Sequence, residues 1–477
     1  MDYVLDQSFA PERYFEEICK HPHGSYHEKP LSDYIVQFAV DHNLKYKQYE
    51  NFNVIVYKDA SHGYEDHPPL MLQGHIDMVC EKDPGVEHDF EKDPISIYVD
   101  NGLVRARGTT LGADDGVGAA YMLALLDDDT LPHPRLECVF TVQEETGCDG
   151  ARELAFDDLT AKRLIGLDDM GGNTCYVSSC GSQRVIAEKK VQKESSNEPF
   201  YRIRVDGLEG GHSGPFISEE KGNAIKLMSR VLHELSKKAD IRVASINGGS
   251  KDNAIPILCD AVFASPEPME QLLAVTSRFN DWLKNEYLFS DPNVCVTLTS
   301  SEAQPVLSAQ DSADLVKYLF VLPNGFRHKS MKIKGLTTAS ENLATIRTDE
   351  NSIVLRYFAR AELDSNLFEQ SDEIIELSNL FGYGTTFKGY SPGWQYKEHS
   401  DIRELLMGAY RDVTGRELTP IAVHGGLEHG YISAGIPGID IATCGPHCED
   451  YHTTRENLDL ASFREIYEVL KETLKRA

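Results

Sequence analysis

Five short stretches of the chain place acids or imidazoles where an apolar segment should run on. Leu70, Met71 and Leu72 begin a buried strand that ends in Gly74-His75-Ile76-Asp77. Side chains two apart on a strand share a face, so His75 can ligate a cation while Asp77 orients the imidazole. A strand-end histidine beside a turn aspartate fits the same residues. Asp114 and Asp115 lie in TTLGADDGVGAA, where a carboxylate can bridge two cations or simply cap the following helix. Glu144 and Glu145 follow an apolar strand in TVQEETG. Neighbouring carboxylates point in different directions, so one can bind metal while the other stays free as a base. Acids entering a helix N-terminus are the plainer alternative. Asp168 and Asp169 close a strand in LIGLDDMGG, and His452 lies in EDYHTTRENL. These last read equally well as a turn and a surface histidine.

Singly, each bland reading holds; jointly they share a pattern. In an open α/β sheet, ligands collect at the carboxyl ends of the strands. A set of oxygen and imidazole donors suits zinc, manganese or cobalt better than a thiolate site would. Two cations sharing one carboxylate, with a free glutamate beside them, are the equipment of metal-assisted hydrolysis.

The elements that must position these residues follow from hydrophobic period. Short β-branched runs (NVIVYK, PPLMLQGHIDMV, RLECVFTV, RLIGLDD) alternate with helical stretches such as DDGVGAAYMLALLDDD. ISIYVDNGLVRARG reads as a hairpin turning at Asp100-Asn101-Gly102. This alternation predicts an α/β sheet with helices on both faces. From residue 184 the pattern changes to α+β and stays so to 395, a block large enough for two ferredoxin-like halves. The α/β pattern resumes over 396–477 and closes on the helix ASFREIYEVLKETLKRA. The expected fold is therefore a mixed-sheet α/β catalytic domain, residues 1–183 and 396–477, interrupted by an inserted α+β lid.

Composition bounds the partners. The 477 residues carry Lys+Arg 47 against Asp+Glu 76, a net charge of −29. Such a surface repels nucleic acid and anionic membranes and tolerates cations. No apolar run approaches the ~20 residues of a membrane span. The N-terminus lacks the basic and apolar regions of a signal peptide, so a cytoplasmic location is expected. The ten cysteines form no framework and are expected as buried thiols.

The ordered set QGHIDMV, GADDGVGAA, QEETG, GGHSG with GNA, NAIP, LPNG, PGWQ, HGGLEHG and a late GP…H resembles the M20 metallopeptidase family. The likeness covers nearly the whole chain and is greatest to the aminoacyl-histidine dipeptidase branch. It implies a zinc-peptidase fold and hydrolysis of small unblocked dipeptides, of Xaa-His type or broader. A tripeptidase, an N-acyl amino acid deacylase and a non-enzymatic binding protein on this fold are the alternatives. It further implies two divalent ions, zinc or else manganese or cobalt. His75 and Asp168 would hold one ion, Glu145 and His452 the other, and Asp114 would bridge them. Glu144 would be the general base, Asp77 would orient His75, and the Asp114–Asp115 peptide would be cis. Aspartate rather than glutamate at 168 points to dipeptides with a free amino terminus.

In the lid the resemblance assigns His212 to the oxyanion and Asn253 and Arg360 to substrate contact. Gly425 and Gly426 would line the pocket, with Glu428 near the substrate's amino end. The lid is also where a homodimer would form, unless its doubled size completes the site within one chain. The chain departs from the branch at Asp115, where asparagine is common, and at His429, where cysteine is. It departs again at Thr453-Thr454, where Ser-Pro is common. His447 and Asp169 therefore stand as rivals to His452 and Asp168.

Overall fold

The computed structural model describes residues 3–477. The chain folds as two compact units. The first runs to Ser179 and resumes over Trp394–Ala422 and Leu427–Ala477; the second comprises Cys180–Gly393 and Val423–Gly426.

The first unit is built on a six-stranded mixed sheet. Its spatial order is Lys45–Gln48, Val54–Lys58, Leu136–Thr141, Leu70–His75, Arg163–Gly166, Asp440–Thr443. Leu70–His75 runs parallel to both of its neighbours, and Asp440–Thr443 parallel to Arg163–Gly166, while the first three strands pair antiparallel. Every residue of Leu70–His75 and Leu136–Thr141 is buried, as expected of central strands covered on both faces. Ile55, Met71, Val139, Leu164 and Ile441 pack with Ile432, Ile436 and Trp394 in one core cluster. Beyond its acidic first turn the helix Ala113–Asp127 is apolar on every face up to Leu126 and buried, as a core helix must be. Tyr121 on it stacks on Phe463 of the closing helix Leu460–Arg476 at 4.8 Å.

A second, four-stranded sheet orders Cys448–Glu449, Asn457–Asp459, Leu103–Ala106 and Ile97–Asp100. Its hairpin turns at Asn101 (φ 52°) and Gly102 (φ 82°), two successive positive φ values that match the twist of the flanking strands. This sheet carries the late segment around His452 back to the residues that precede Asp114.

The second unit holds a nine-stranded antiparallel sheet with helices Ala224–Ser236, Met269–Glu286, Ala309–Val321 and Asp364–Leu380. Its two groups of strands meet where Gly248 pairs with Ile346. All ten cysteines are free thiols, most of them buried. No helix among the described residues is long and apolar enough to cross a membrane.

Gly445 follows the edge strand Asp440–Thr443 and lies against the backbone that carries Asp168 and Asp169. A Cβ there would stand 2.1 Å from the Asp169 carbonyl oxygen and 2.8 Å from that of Leu167. Backbone cannot rotate away as a side chain does, so Gly445→Ala should destabilise the chain by about 1–3 kcal/mol, read from urea unfolding midpoints.

Candidate active site

Three parallel strands, Leu70–His75, Leu136–Thr141 and Arg163–Gly166, deliver their carboxyl ends to one edge of the sheet. His75 ends the first, Glu144 and Glu145 follow the second, and Asp168 follows the third. Asp114 comes from the start of the helix Ala113–Asp127, where Asp114 (φ −86°, ψ 104°) and Asp115 (φ −112°, ψ 37°) depart from helical geometry. The peptide between them is cis. His452 completes the group from a turn residue with φ 63°.

The donor atoms converge. One atom each from His75, Asp114 and Asp168 lie within 4.8 Å of one another, and so do one each from Asp114, Glu145 and His452. Asp114 belongs to both groups and divides its oxygens between them. Its Oδ1 is 3.2 Å from His75 Nε2, and its Oδ2 is 3.3 Å from His452 Nε2. His452 Nε2 also lies 2.8 Å from Glu145 Oε1. Two further carboxylates and two imidazoles around the shared Asp114 fit a pair of divalent cations.

Asp77 sets the geometry from behind. Its Oδ1 accepts the backbone N–H of Glu144 at 2.9 Å, and its Oδ2 accepts that of Glu145 at 3.2 Å and the Ser25 hydroxyl at 2.8 Å. His75 Nδ1 faces the Asp77 backbone carbonyl at 3.0 Å and the carboxylate Oδ1 at 3.4 Å. The nearer partner of the imidazole is thus the main chain of Asp77. The carboxylate holds the two glutamates as well as the histidine.

The electrostatics are set by carboxylates that outnumber the imidazoles. Burial alone would raise Asp114, but hydrogen bonds with His452 and His75 outweigh it and hold the carboxyl well below the ordinary range. Hydrogen bonds to Asp114 and Glu145 push His452 up to about 10. Burial would depress His75, yet Asp114 and Asp77 raise it well above the usual imidazole value. Burial and then repulsion from Asp114 drive Asp168 well above the carboxylate range. Burial pushes Glu144 up to about 8; His75 opposes the shift, while Glu428 and Glu145 add to it. A cluster so rich in carboxylates favours divalent cations, and binding such ions to protonated ligands releases protons.

The rival residues have other work. Asp169 is fully buried, and its oxygens accept from Thr174 Oγ1 (2.6 Å), Gly171 N (3.2 Å), Thr443 Oγ1 (2.7 Å) and Tyr176 N (3.2 Å). His447 is half exposed and paired with Glu449 at 3.3 Å. Asp115 Oδ1 accepts from Gly118 N at 3.1 Å, so helix capping belongs to Asp115 while Asp114 faces the imidazoles. Glu428 opens the helix Glu428–Gly435, and its Oε2 takes Gln73 Nε2 at 2.6 Å and Thr141 Oγ1 at 2.8 Å. Its Oε1 is buried with no partner among the described residues, and burial pushes the group up to about 7.

In the second unit, His212 pairs in strand register with Ala254, and its Nδ1 accepts from Gly214 N at 3.1 Å. The Asn253 carbonyl accepts from Ser213 N at 2.8 Å. Arg360 is buried between Ser340 and Ser182 of the adjoining strands, with its Cζ 4.3 Å from the centre of the Phe358 ring. Its Nε has no partner among the described residues. Gly425 is anchored by its carbonyl, which accepts from Cys180 N at 2.8 Å; Gly426 has open space on its Cα.

Sequence reasoning passed over three residues. Ser25 holds Asp77. His424, inside the quoted HGGLEHG, lies 2.9 Å from Cys180 Sγ and 2.6 Å from Ser340 Oγ. Glu456, inside HTTRENL, accepts four backbone N–H groups of the turn before Asp114. His424 and Glu456 lie within motifs that carry the family resemblance, while nothing in the sequence around Ser25 singles it out.

The profile of "Peptidase family M20/M25/M40" matches residues 71–476. The cytosol non-specific dipeptidase of Escherichia coli (strain K12) is 32% identical over 465 residues, 97% of this chain and 96% of that protein. The crystal structure of an aminoacylhistidine dipeptidase from Vibrio alginolyticus superposes with a TM-score of 0.93 at 29% identity, covering 98% of this chain and 96% of that one. Aminopeptidase PepT from Bacillus cereus, at 15% identity and a TM-score of 0.56 over 99% of this chain and 98% of its own, shares the fold.

Asp77→Asn keeps the shape of Asp77 but replaces one acceptor oxygen with a donor that faces an N–H or a hydroxyl. It should weaken metal binding by about 10–100-fold, the usual scale for losing a group that orients ligands, as measured by chelator competition.

Proposed function

The chain belongs to peptidase family M20/M25/M40, and we propose that the acid–imidazole cluster of its first unit is the catalytic centre of a metal-dependent dipeptidase. The enzyme hydrolyses the peptide bond of dipeptides. The observation that carries the assignment of the site is the division of the Asp114 oxygens between two imidazoles, with Glu145 and Asp168 on either side.

In this reading His75 and Asp168 would hold one divalent ion, Glu145 and His452 the other, and Asp114 would be shared by both. Zinc is the preferred pair, with manganese or cobalt compatible with the same donors. Bound ions would polarise the scissile carbonyl and lower the pKa of the attacking water. Glu144 is the general base: it takes a proton from that water and returns it to the leaving amine. Its neighbour Glu145 is committed to His452, which leaves Glu144 free for this work. Asp77 fixes both glutamates through their backbone N–H groups.

The substrate proposed is a small dipeptide with both ends free, of Xaa-His type or broader. Glu428, with one buried oxygen unpartnered, is the proposed acceptor for the substrate ammonium. Arg360 is the proposed partner of its carboxylate, a role suited to a planar guanidinium. His212, Asn253, Gly425 and Gly426 remain proposed substrate contacts on the strength of the family resemblance. A cytoplasmic location and a homodimer through the second unit belong to the same reading.

Glu144→Gln should lower kcat by about 100–10,000-fold while the bound metal, counted by elemental analysis, stays at the wild-type level. Near-normal turnover by that variant would remove the base assignment. On a panel of dipeptides, tripeptides and N-acetyl amino acids, unblocked dipeptides should be cleaved best. A preference for the acylated compounds would make the enzyme a deacylase instead.

A further inference from the structure

Glu456 lies four residues beyond His452, and its side chain is buried at 3% exposure. It accepts four consecutive backbone N–H groups from a turn more than 300 residues away in sequence. Oε2 takes Leu111 N at 2.7 Å and Gly112 N at 3.1 Å, and Oε1 takes Ala113 N at 2.8 Å and Asp114 N at 3.3 Å. The turn curls its amides to one side because Gly112 adopts a left-handed φ of 74°. A Cβ at Gly112 would stand 2.9 Å from Met78 Sδ and 3.1 Å from His23 Nε2, so the turn is also closely backed.

The two partners of this contact each carry a proposed metal ligand. The turn ends in Asp114, and the segment of Glu456 begins with His452. Behind them, Asn457–Asp459 pairs antiparallel with Leu103–Ala106, and Arg105 Nη1 donates to the Arg455 carbonyl at 3.1 Å. Strand pairing therefore fixes one end of the two segments, and Glu456 fixes the other. Between these ties Asp114 Oδ2 and His452 Nε2 stand 3.3 Å apart. A helix start can be capped locally by serine, threonine or aspartate at its first residue. Here the position before the helix Ala113–Asp127 is Gly112, which has no side chain to cap with, and Asp115 further on reaches only Gly118 N; the acceptor for the N–H groups of Leu111–Asp114 comes instead from the segment of the other ligand.

We propose that Glu456 is a positioning residue for the metal pair: its carboxylate locks the shared ligand Asp114 to the segment that carries His452. The inference rests on the ligand assignment above. It differs from plain helix capping in what is lost when the carboxylate goes. A cap contributes to stability alone, whereas a lock sets the spacing of two ligands and thus the hold on metal.

The test uses the full-length chain carrying Glu456→Gln, which keeps the shape but loses the charge and one acceptor oxygen. In chelator-treated protein, amide exchange across Leu111–Asp114 should quicken relative to wild type while the rest of the chain keeps its protection. In cobalt-loaded protein, the chelator concentration that strips half the metal should fall by about tenfold or more, and the visible absorption of the bound cobalt should change. Cobalt retention and spectrum indistinguishable from wild type would overturn the proposal, whatever happens to the melting temperature. If Glu456→Gln does not fold, Glu456→Asp takes its place; it keeps the charge but withdraws the carboxylate by one methylene, and wild-type retention of cobalt in it overturns the proposal equally. Asp114→Asn separates the two levels of inference. If it retains cobalt as wild type does, the ligand assignment falls and the lock with it; if it loses cobalt and Glu456→Gln does not, only the lock falls.

Discussion

The Asp77 carboxylate, buried behind the strand ends, takes the N–H groups of Glu144 and Glu145, takes the Ser25 hydroxyl, and stands beside His75. Few single groups could be removed with wider effect. His75 comes from one strand and the two glutamates from the neighbouring one, so the carboxylate ties together the ends of two parallel strands. A backbone N–H can point at only one place. By fixing those of adjacent residues 144 and 145, Asp77 also fixes the directions in which their side chains leave the chain, which is what keeps the proposed ligand apart from the proposed base. A serine or asparagine in the place of Asp77 offers fewer acceptor sites and could not hold all of these donors at once.

The site gathers more acid than it can keep ionised. Asp114, Glu144, Glu145 and Asp168 crowd the buried imidazole of His75 and the half-exposed one of His452, and like charges at such separations are costly where water is scarce. The response is uneven. Asp114, flanked by both imidazoles, stays ionised, while Asp168 and Glu144 are driven up by burial and by their neighbours. A structure selected for metal-free stability would have no use for this excess of carboxylates, and buried charge of one sign is a poor source of stability in general. The excess is intelligible as the counterpart of divalent cations.

Much of this was legible in the sequence because strand ends are local events. A run such as Leu70-Met71-Leu72 breaking into His75 and Asp77 announces both the strand and its functional edge, and three such runs in an alternating α/β pattern predict that the edges coincide. The hairpin at Asn101-Gly102 and the buried Ala/Leu-rich helix were legible for the same reason. Choices within a pair of identical residues were not. What distinguishes Asp115 from Asp114 is its bond to Gly118 N, and what distinguishes Asp169 from Asp168 is the pair of hydroxyls on Thr174 and Thr443, and neither partner can be read from the pair itself. Glu456 was invisible altogether. An acid in a polar turn looks like a solvated charge until folding brings a turn from the far end of the chain against it.

The same distance in sequence explains why the chain can be interrupted so deeply. His452 must reach a site whose other proposed ligands lie between residues 75 and 168, with the entire second unit intervening. The first unit closes over that gap: Ser179 and Trp394 exchange backbone hydrogen bonds at 3.0 Å in both directions, as two strands of a hairpin would. The second unit closes likewise, since a Cβ on Gly181 would stand 2.6 Å from Gly393 N and 2.5 Å from the Ser391 carbonyl. Each unit thus brings its own two ends together with its own hydrogen bonds or close packing. The entropy of closing a loop grows only with the logarithm of its length, so a large insertion between two paired strands costs little more than a short one. What the late segment then needs is a separate guide back to the acid–imidazole cluster. The four-stranded sheet supplies it, because pairing Asn457–Asp459 on Leu103–Ala106 fixes the register of His452 a few residues away, whatever lies between residues 180 and 393.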